Sequence, residues 1–202
     1  PYFAKAEKKP KRCYLNTITD NITGGTTPAQ HKTEGISYFK KGMTEEALEE
    51  LKLAAEGIKE DGELRHYLGK AYYENDKHDE AITEFLAAVS YYKANQTKEK
   101  TDVYNDLGLA YKKKNAFTES LSAFKESLEL NPSVAYTHYN LGLLYYEKDM
   151  QDECIASLKK ANNLDPNSAD THFVLWMTYY KKKSFDKAIN EFKQTIELNP
   201  KD

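Results

Sequence analysis

Cysteine is scarce in this 202-residue chain. There are two, Cys13 and Cys154, and neither lies in a C-x-x-C, haem-attachment or zinc-binding spacing. That argues against a disulfide framework or a structural zinc; both are expected as free thiols, one in a tail and one in a helix. Long apolar runs are absent as well. None approaches the roughly 18 residues that a helical membrane span needs, so no transmembrane segment is expected. Charge of one sign is also missing: 29 Lys and Arg against 32 Asp and Glu leave a net −3. Such a balance gives no case for nucleic acid or an acidic membrane as partner. Catalytic signatures are lacking too. Gly24-Gly25-Thr26 has neither the lysine nor the strand context of a phosphate loop, and there is no H-E-x-x-H or nucleophile elbow. The expectation is therefore no cofactor, no metal and no enzyme.

What is present is a foldable mixture, 40% hydrophobic and 30% charged, with 16 tyrosines. It is periodic. Asn131-Pro132, Asp165-Pro166 and Asn199-Pro200 recur every 34 residues, and so do Leu107-Gly108, Leu141-Gly142 and Leu175-Trp176. Leu68-Gly69 lies 39 residues before Leu107-Gly108, and Glu34-Gly35 a further 34 earlier. Five units follow: 28–61, 62–100, 101–134, 135–168 and 169–202. Within each, large apolar residues fall at i, i+3 and i+7, one face of a helix. Small residues stand where two antiparallel helices must come close. The residue before each proline is pushed out of the α region, which ends a helix. One helix pair cannot bury its own apolar stripe, but stacked neighbours can.

The third unit reads Tyr104-x₂-Leu107-Gly108-x₂-Tyr111, then Ser120-x₃-Phe124, then Pro132. The second carries Arg65, Leu68, Gly69, Tyr72, Ala81 and Phe85; the fourth His138, Leu141, Gly142, Tyr145, Cys154 and Leu158. The fifth has His172, Leu175, Trp176, Tyr179, Ala188 and Phe192, and the first has His31, Glu34, Gly35, Tyr38, Ala47 and Leu51. This pattern resembles the tetratricopeptide (TPR) repeat, and the resemblance spans residues 28–202. It implies an all-α fold, a right-handed superhelix (α-solenoid) of five helix–turn–helix repeats. It also implies a non-catalytic module that binds a protein or peptide on a concave surface lined by the first helix of each unit.

On that resemblance the groove-facing places hold Phe39, His66, Tyr67, Tyr73, Tyr136, Tyr139, Asn140, Tyr146, Phe173, Met177 and Tyr180. In the double tyrosines Tyr72-Tyr73, Tyr145-Tyr146 and Tyr179-Tyr180, the first member belongs to the core stripe. The second, about 100° further round, is expected to face the groove; Lys112 interrupts the row. The carboxylate-gripping set of chaperone adaptors is not matched. Neither is the asparagine ladder of glycosyltransferase arrays, since the corresponding row is Thr33, Tyr67, Asp106, Asn140 and Val174. An aromatic groove suits an extended or helical peptide with apolar anchors, because tyrosine offers large contact area at low entropy cost.

Several features depart from the pattern. The second unit carries five extra residues between Val89 and Thr101, expected as a longer second helix and a longer turn. Trp176 replaces a glycine and is expected to push the last two helices apart or to turn outward. No further amphipathic helix follows Pro200, so Trp176, Ile189, Phe192 and Ile196 are an expected assembly edge. Residues 1–27 carry Lys5, Lys8, Lys9, Lys11 and Arg12 and no helical period, which suggests a basic, extended N-terminal arm. Residue 1 is proline, so a truncated or processed chain is expected, and a removed signal peptide and the compartment stay open. His31, His138 and His172 share one place in their units and are expected in the core stripe, too far apart to share a metal. Two alternatives stand beside the recognition module. One is an assembly subunit of a homo-oligomer or multi-protein complex, packing through its terminal edge and arm. The other is the regulatory array of a larger enzyme.

Overall fold

The computed structural model describes residues 25–199; all but the end of the expected arm lies outside them. Among the described residues there are ten helices and no strand. They are α1 (Pro28–Lys40), α2 (Thr44–Gly57), α3 (Gly62–Glu74), α4 (His78–Tyr91) and α5 (Thr97–Lys113). They continue as α6 (Phe117–Leu130), α7 (Ala135–Glu147), α8 (Gln151–Leu164), α9 (Ala169–Lys181) and α10 (Phe185–Leu198). Odd-numbered helices open a hairpin and even-numbered helices close it.

Each hairpin turns on one residue of left-handed backbone: Gly42 (φ 76°), Asp76 (57°), Asn115 (57°), Asp149 (58°) and Lys183 (59°). The next N–H then reaches back five residues to a carbonyl of the first helix, as in Lys77 to Tyr72 and Ala116 to Tyr111, at 2.9–3.0 Å. This satisfies a carbonyl that the helix end would leave orphaned. Glycine, Asp and Asn take the left-handed region at low cost; Lys183 does not. Between hairpins the chain leaves the helix in extended backbone, as at Asn131 (φ −147°) before Pro132.

Within the first four hairpins the two helices interlock. A Cβ added to Gly35, Gly69, Gly108 or Gly142 would sit 2.6–2.7 Å from the side chain of Leu51, Phe85, Phe124 or Leu158 respectively. All four of those side chains are buried, each burial contributing about 1.5–3 kcal/mol. One turn earlier on the same closing helices, Ala47, Ala81, Ser120 and Cys154 are buried as well, and so is Ala188 at that place in the fifth hairpin. The Ser120 hydroxyl donates to the Gly108 carbonyl at 2.7 Å.

The stacking is lopsided. Each closing helix packs on the opening helix of the next hairpin, and successive opening helices touch, whereas successive closing helices do not. The stack is therefore tighter along α1, α3, α5, α7 and α9, which puts those helices on the inner wall of a curved array.

One expectation needs correction. The five extra residues do not lengthen a closing helix, since α4 has the same 14 residues as the others. Instead α5 grows to 17 residues, four more than α3 or α7, and the fifth extra residue lengthens the turn before it, as expected. The reason is Tyr92. It leaves the helix (φ −69°, ψ 133°), is buried, and lays its ring where a Gly62 Cβ would be, 2.8 Å away. His138 and His172 are buried in the core stripe, as expected, and His31 is half-buried; each also holds a polar partner. His31 and His172 bond Glu50 (2.5 Å) and Glu191 (2.7 Å), as Arg65 does Glu84 (2.9 Å), clasping the two helices of a hairpin. His138 donates its Nε2 hydrogen to the Pro132 carbonyl at 3.0 Å; burial pushes its pKa below the ordinary value.

Candidate partner-binding groove and terminal face

The inner wall starts in polar chemistry. Lys32 on α1 meets Asp61 and Glu63, both at 2.8 Å. Burial alone would lower the Lys32 pKa, yet the two hydrogen-bonded carboxylates raise it. Burial alone would raise that of Asp61, yet the Lys32 ammonium and the Leu64 N–H bring it below the usual carboxylate range. Asp61 also caps α3, accepting from Leu64 at 2.9 Å. An open cavity of about 680 Å³ lies here, bordered by Lys32, Ile36, Lys40 and Ile58. Phe39 and Tyr67 meet edge to face at 5.8 Å, and Lys40 and Lys70 each stand over the Tyr67 ring.

Further along, the wall is stapled between hairpins. His66 is buried against Phe85, and its Nε2 bonds Asp106 at 2.8 Å. It therefore belongs to the joint between α3 and α5 rather than to an open surface. Tyr73 is half-buried, its ring 5.4 Å from that of His78; burial pushes its pKa up, helped by Glu74 and Asp106. Asn140 donates to Asn105 at 3.0 Å, and the Tyr136 hydroxyl donates to Asp102, so the exposed Tyr136 ring is held by its far end. Lys112, which breaks the tyrosine row, pairs with Glu147 at 2.9 Å.

The C-terminal half is apolar. Tyr139, Leu143, Tyr146 and Met177 are half-buried around a core of Val174, Leu175 and Leu158. The Tyr146 hydroxyl lies 3.8 Å from the Met177 sulfur, and Lys181 stands 4.7 Å over the Tyr146 ring. Burial pushes the Tyr139 pKa up.

Phe173 and Tyr180 join a different group. Phe173 meets Trp176 at 5.2 Å, Trp176 meets Phe192 at 5.1 Å, and Tyr180 meets Phe185 at 5.8 Å. Trp176 neither splits the last hairpin nor swings out. It stays half-buried between α9 and α10, and Phe192 beside it is 42% exposed. Phe185 (54%), Ile189 (51%) and Ile196 (50%) lie on the same stripe of α10 at i, i+4, i+7 and i+11. The sequence reading missed Phe185, although it sits one helical turn before Ile189.

The double tyrosines divide clearly only in the last hairpin, where Tyr179 is 5% and Tyr180 60% exposed. Tyr72, Tyr73, Tyr145 and Tyr146 are all half-buried. No group of His, Cys, Asp and Glu among the described residues could hold a metal ion. No described helix is long and apolar enough to cross a membrane. Cys154 is buried, 3.3 Å from the Thr178 hydroxyl, and burial pushes its thiol pKa up, which makes it a poor nucleophile.

Family models for the tetratricopeptide repeat match residues 32–96, 135–168 and 170–202, and a model described as TPR repeat matches 108–149. No curated protein matches the chain. Among solved structures, MamA from Desulfovibrio magneticus RS-1 (residues 41 to its end) is similar, with 23% identity and a TM-score of 0.74. That match covers 87% of this chain and 97% of the other. A second MamA crystal structure matches at 22% identity and a TM-score of 0.72, over 86% and 92% of the two chains. YrrB, described as a TPR protein with an unusual peptide-binding site, matches at 20% identity and a TM-score of 0.67, over 92% and 94%. At these identities the likeness speaks for the fold.

Proposed function

The chain belongs to the tetratricopeptide repeat family, and from that premise we propose that it is a protein-interaction scaffold that takes a partner segment along its inner wall. Repeats of this family typically serve as interaction modules rather than catalysts. The observation that carries the reading is the change of character along the wall. Ion pairs and stapling bonds tie the rungs from α1 onward up to the α5–α7 joint, while beyond them α7 and α9 present Tyr139, Leu143, Tyr146 and Met177. An extended or helical peptide with apolar anchors fits that second stretch, its anchors displacing water from ring faces already held in place.

Photo-cross-linking tests this. A photoreactive residue replacing Tyr139 on α7 should capture a partner, and one replacing Leu86, an exposed residue of the closing helix α4, should not. Equal capture from both positions, or capture from Leu86 alone, would count against the groove.

A second reading has its own observation. Phe185, Ile189, Phe192 and Ile196 form one exposed stripe, which supports an assembly role for the terminal face. The expected contribution of the basic arm to assembly falls on residues outside the described ones.

A further inference from the structure

We propose that two copies of this chain pair through α10 in antiparallel register about a two-fold axis, with Phe185 set against Ile196 of the other copy and Ile189 against its Phe192. This deepens the assembly reading of the terminal face and rests on it.

The stripe itself argues for the register. Its spacings of four, three and four residues read the same from either end. An antiparallel copy therefore meets it layer for layer, as in the seam of a two-stranded coil. The flanking charges argue for the direction. Asp186 and Lys193 each follow a stripe residue, so they border the seam on the same side. Antiparallel pairing brings Asp186 beside Lys193 of the other copy, twice by symmetry. Parallel pairing would instead set Lys193 beside Ala188. Both side chains are exposed, and among the described residues neither has an ion-pair partner within its own chain.

The obvious competitor is head-to-tail stacking, in which α1 of a second copy covers α10 as each opening helix covers the closing helix before it. The faces do not match. The places that do the covering hold Leu64, Leu68 and Ala71 on α3, and Val103, Leu107 and Ala110 on α5, all buried. On α1 the same places hold Gln30, Glu34 and Ser37, all exposed. Burying Glu34 against Phe192 would strand a charge in an apolar joint. A contact of the face with itself closes as a dimer, whereas a head-to-tail contact would grow into a fibre.

Sedimentation equilibrium on the full chain tests the proposal. A concentration-dependent dimer is expected, and Phe192→Glu should abolish it while leaving the helical circular dichroism unchanged. Asp186→Lys and Lys193→Asp should each weaken self-association, on the order of tenfold for the two symmetry-related contacts together. Mixed in equal amounts, these two variants should pair with each other at about the wild-type affinity, because every facing pair is again of opposite charge. A strict monomer at high concentration would overturn the pairing while leaving assembly of the terminal face with a different protein standing. A dimer that survives Phe192→Glu would overturn the pairing while leaving assembly through another surface standing. A dimer lost on Phe192→Glu whose charge variants do not complement each other would leave the face and overturn the register. Fibres in place of dimers would overturn the two-fold arrangement.

Discussion

The third and fifth hairpins carry the same phenylalanine on the closing helix but face it with different residues, Gly108 in one and Trp176 in the other. In the third, Gly108 leaves room for Phe124, which is fully buried between the two helices. In the fifth, Trp176 fills that room itself and Phe192 is turned toward solvent, the two rings 5.1 Å apart. The period, the turns and the helix lengths are otherwise the same, α6 and α10 both having 14 residues. Two differences act together: Trp176 fills the space that Gly108 leaves open, and α6 is covered by α7 whereas no helix among the described residues covers α10.

The largest expected effect breaks this comparison at its centre. Phe124→Ala should cost about 3–5 kcal/mol, the range for truncating a large buried aromatic. Phe192→Ala should cost on the order of 1 kcal/mol, since much of its ring already meets water. Urea midpoints of the two variants would measure the difference. A Phe192 variant as damaging as the Phe124 variant would mean that the fifth hairpin is packed like the third.

Crowding the joint is the next step down. Gly108→Ala should cost about 1–3 kcal/mol, because the new methyl meets the Phe124 ring and the helices must part. Its melting temperature, read beside that of the same change at Gly42, where no atom lies within 4 Å, separates crowding from backbone strain. Gly42 carries the positive φ and Gly108 does not, so the Gly42 cost would arise in the turn alone.

At the opposite end of the array, Asp61→Ala removes the cap of α3 and the partner of Lys32, for a loss of about 1 kcal/mol. The pH dependence has a definite sign. The Asp61 pKa is below its unfolded value of 3.8, so its stabilisation is fully present above that value. It is lost as the pH falls through the lower folded value. The gap between wild type and Asp61→Asn should therefore close below pH 3.8 and stay constant above it. A gap that widens in acid would contradict the ion pair.

The smallest effect is a gain. Lys183 holds a left-handed backbone where the other turns have Gly, Asp or Asn. Lys183→Asn should stabilise the last hairpin by roughly 0.5 kcal/mol, visible as slower amide exchange in α10. No change would mean that the turn is already relaxed.

Much of the fold was legible because repetition multiplies weak signals. A single glycine says little, but Gly35, Gly69, Gly108 and Gly142 at one place in four units define a joint. The left-handed turns were equally periodic, with Gly42, Asp76, Asn115 and Asp149 at intervals of 34 and 39, and that signal was open to a sequence reading. The insertion was placed correctly between Val89 and Thr101 but assigned to the wrong helix, because Tyr91-Tyr92-Lys93-Ala94 can continue a helix. What ends α4 is the space above Gly62, a contact between hairpins that no local pattern carries. The site was less legible than the fold. Family placement put His66 and Tyr67 on the same wall, but only the packing separates the buried imidazole bonded to Asp106 from the ring lying under Lys40 and Lys70. The crowding of Phe192 by Trp176 is readable in the sequence, yet a sequence does not say which of two crowded aromatics yields.

On the proposed function, partners lie along the inner wall, on its apolar C-terminal half. The most direct measurement is amide hydrogen exchange of the chain alone and with the partner captured from the Tyr139 position. The account predicts that protection rises in α7 and α9, with little change in the closing helices α4 and α6. Protection confined to the closing helices, or to α10 alone, would contradict it.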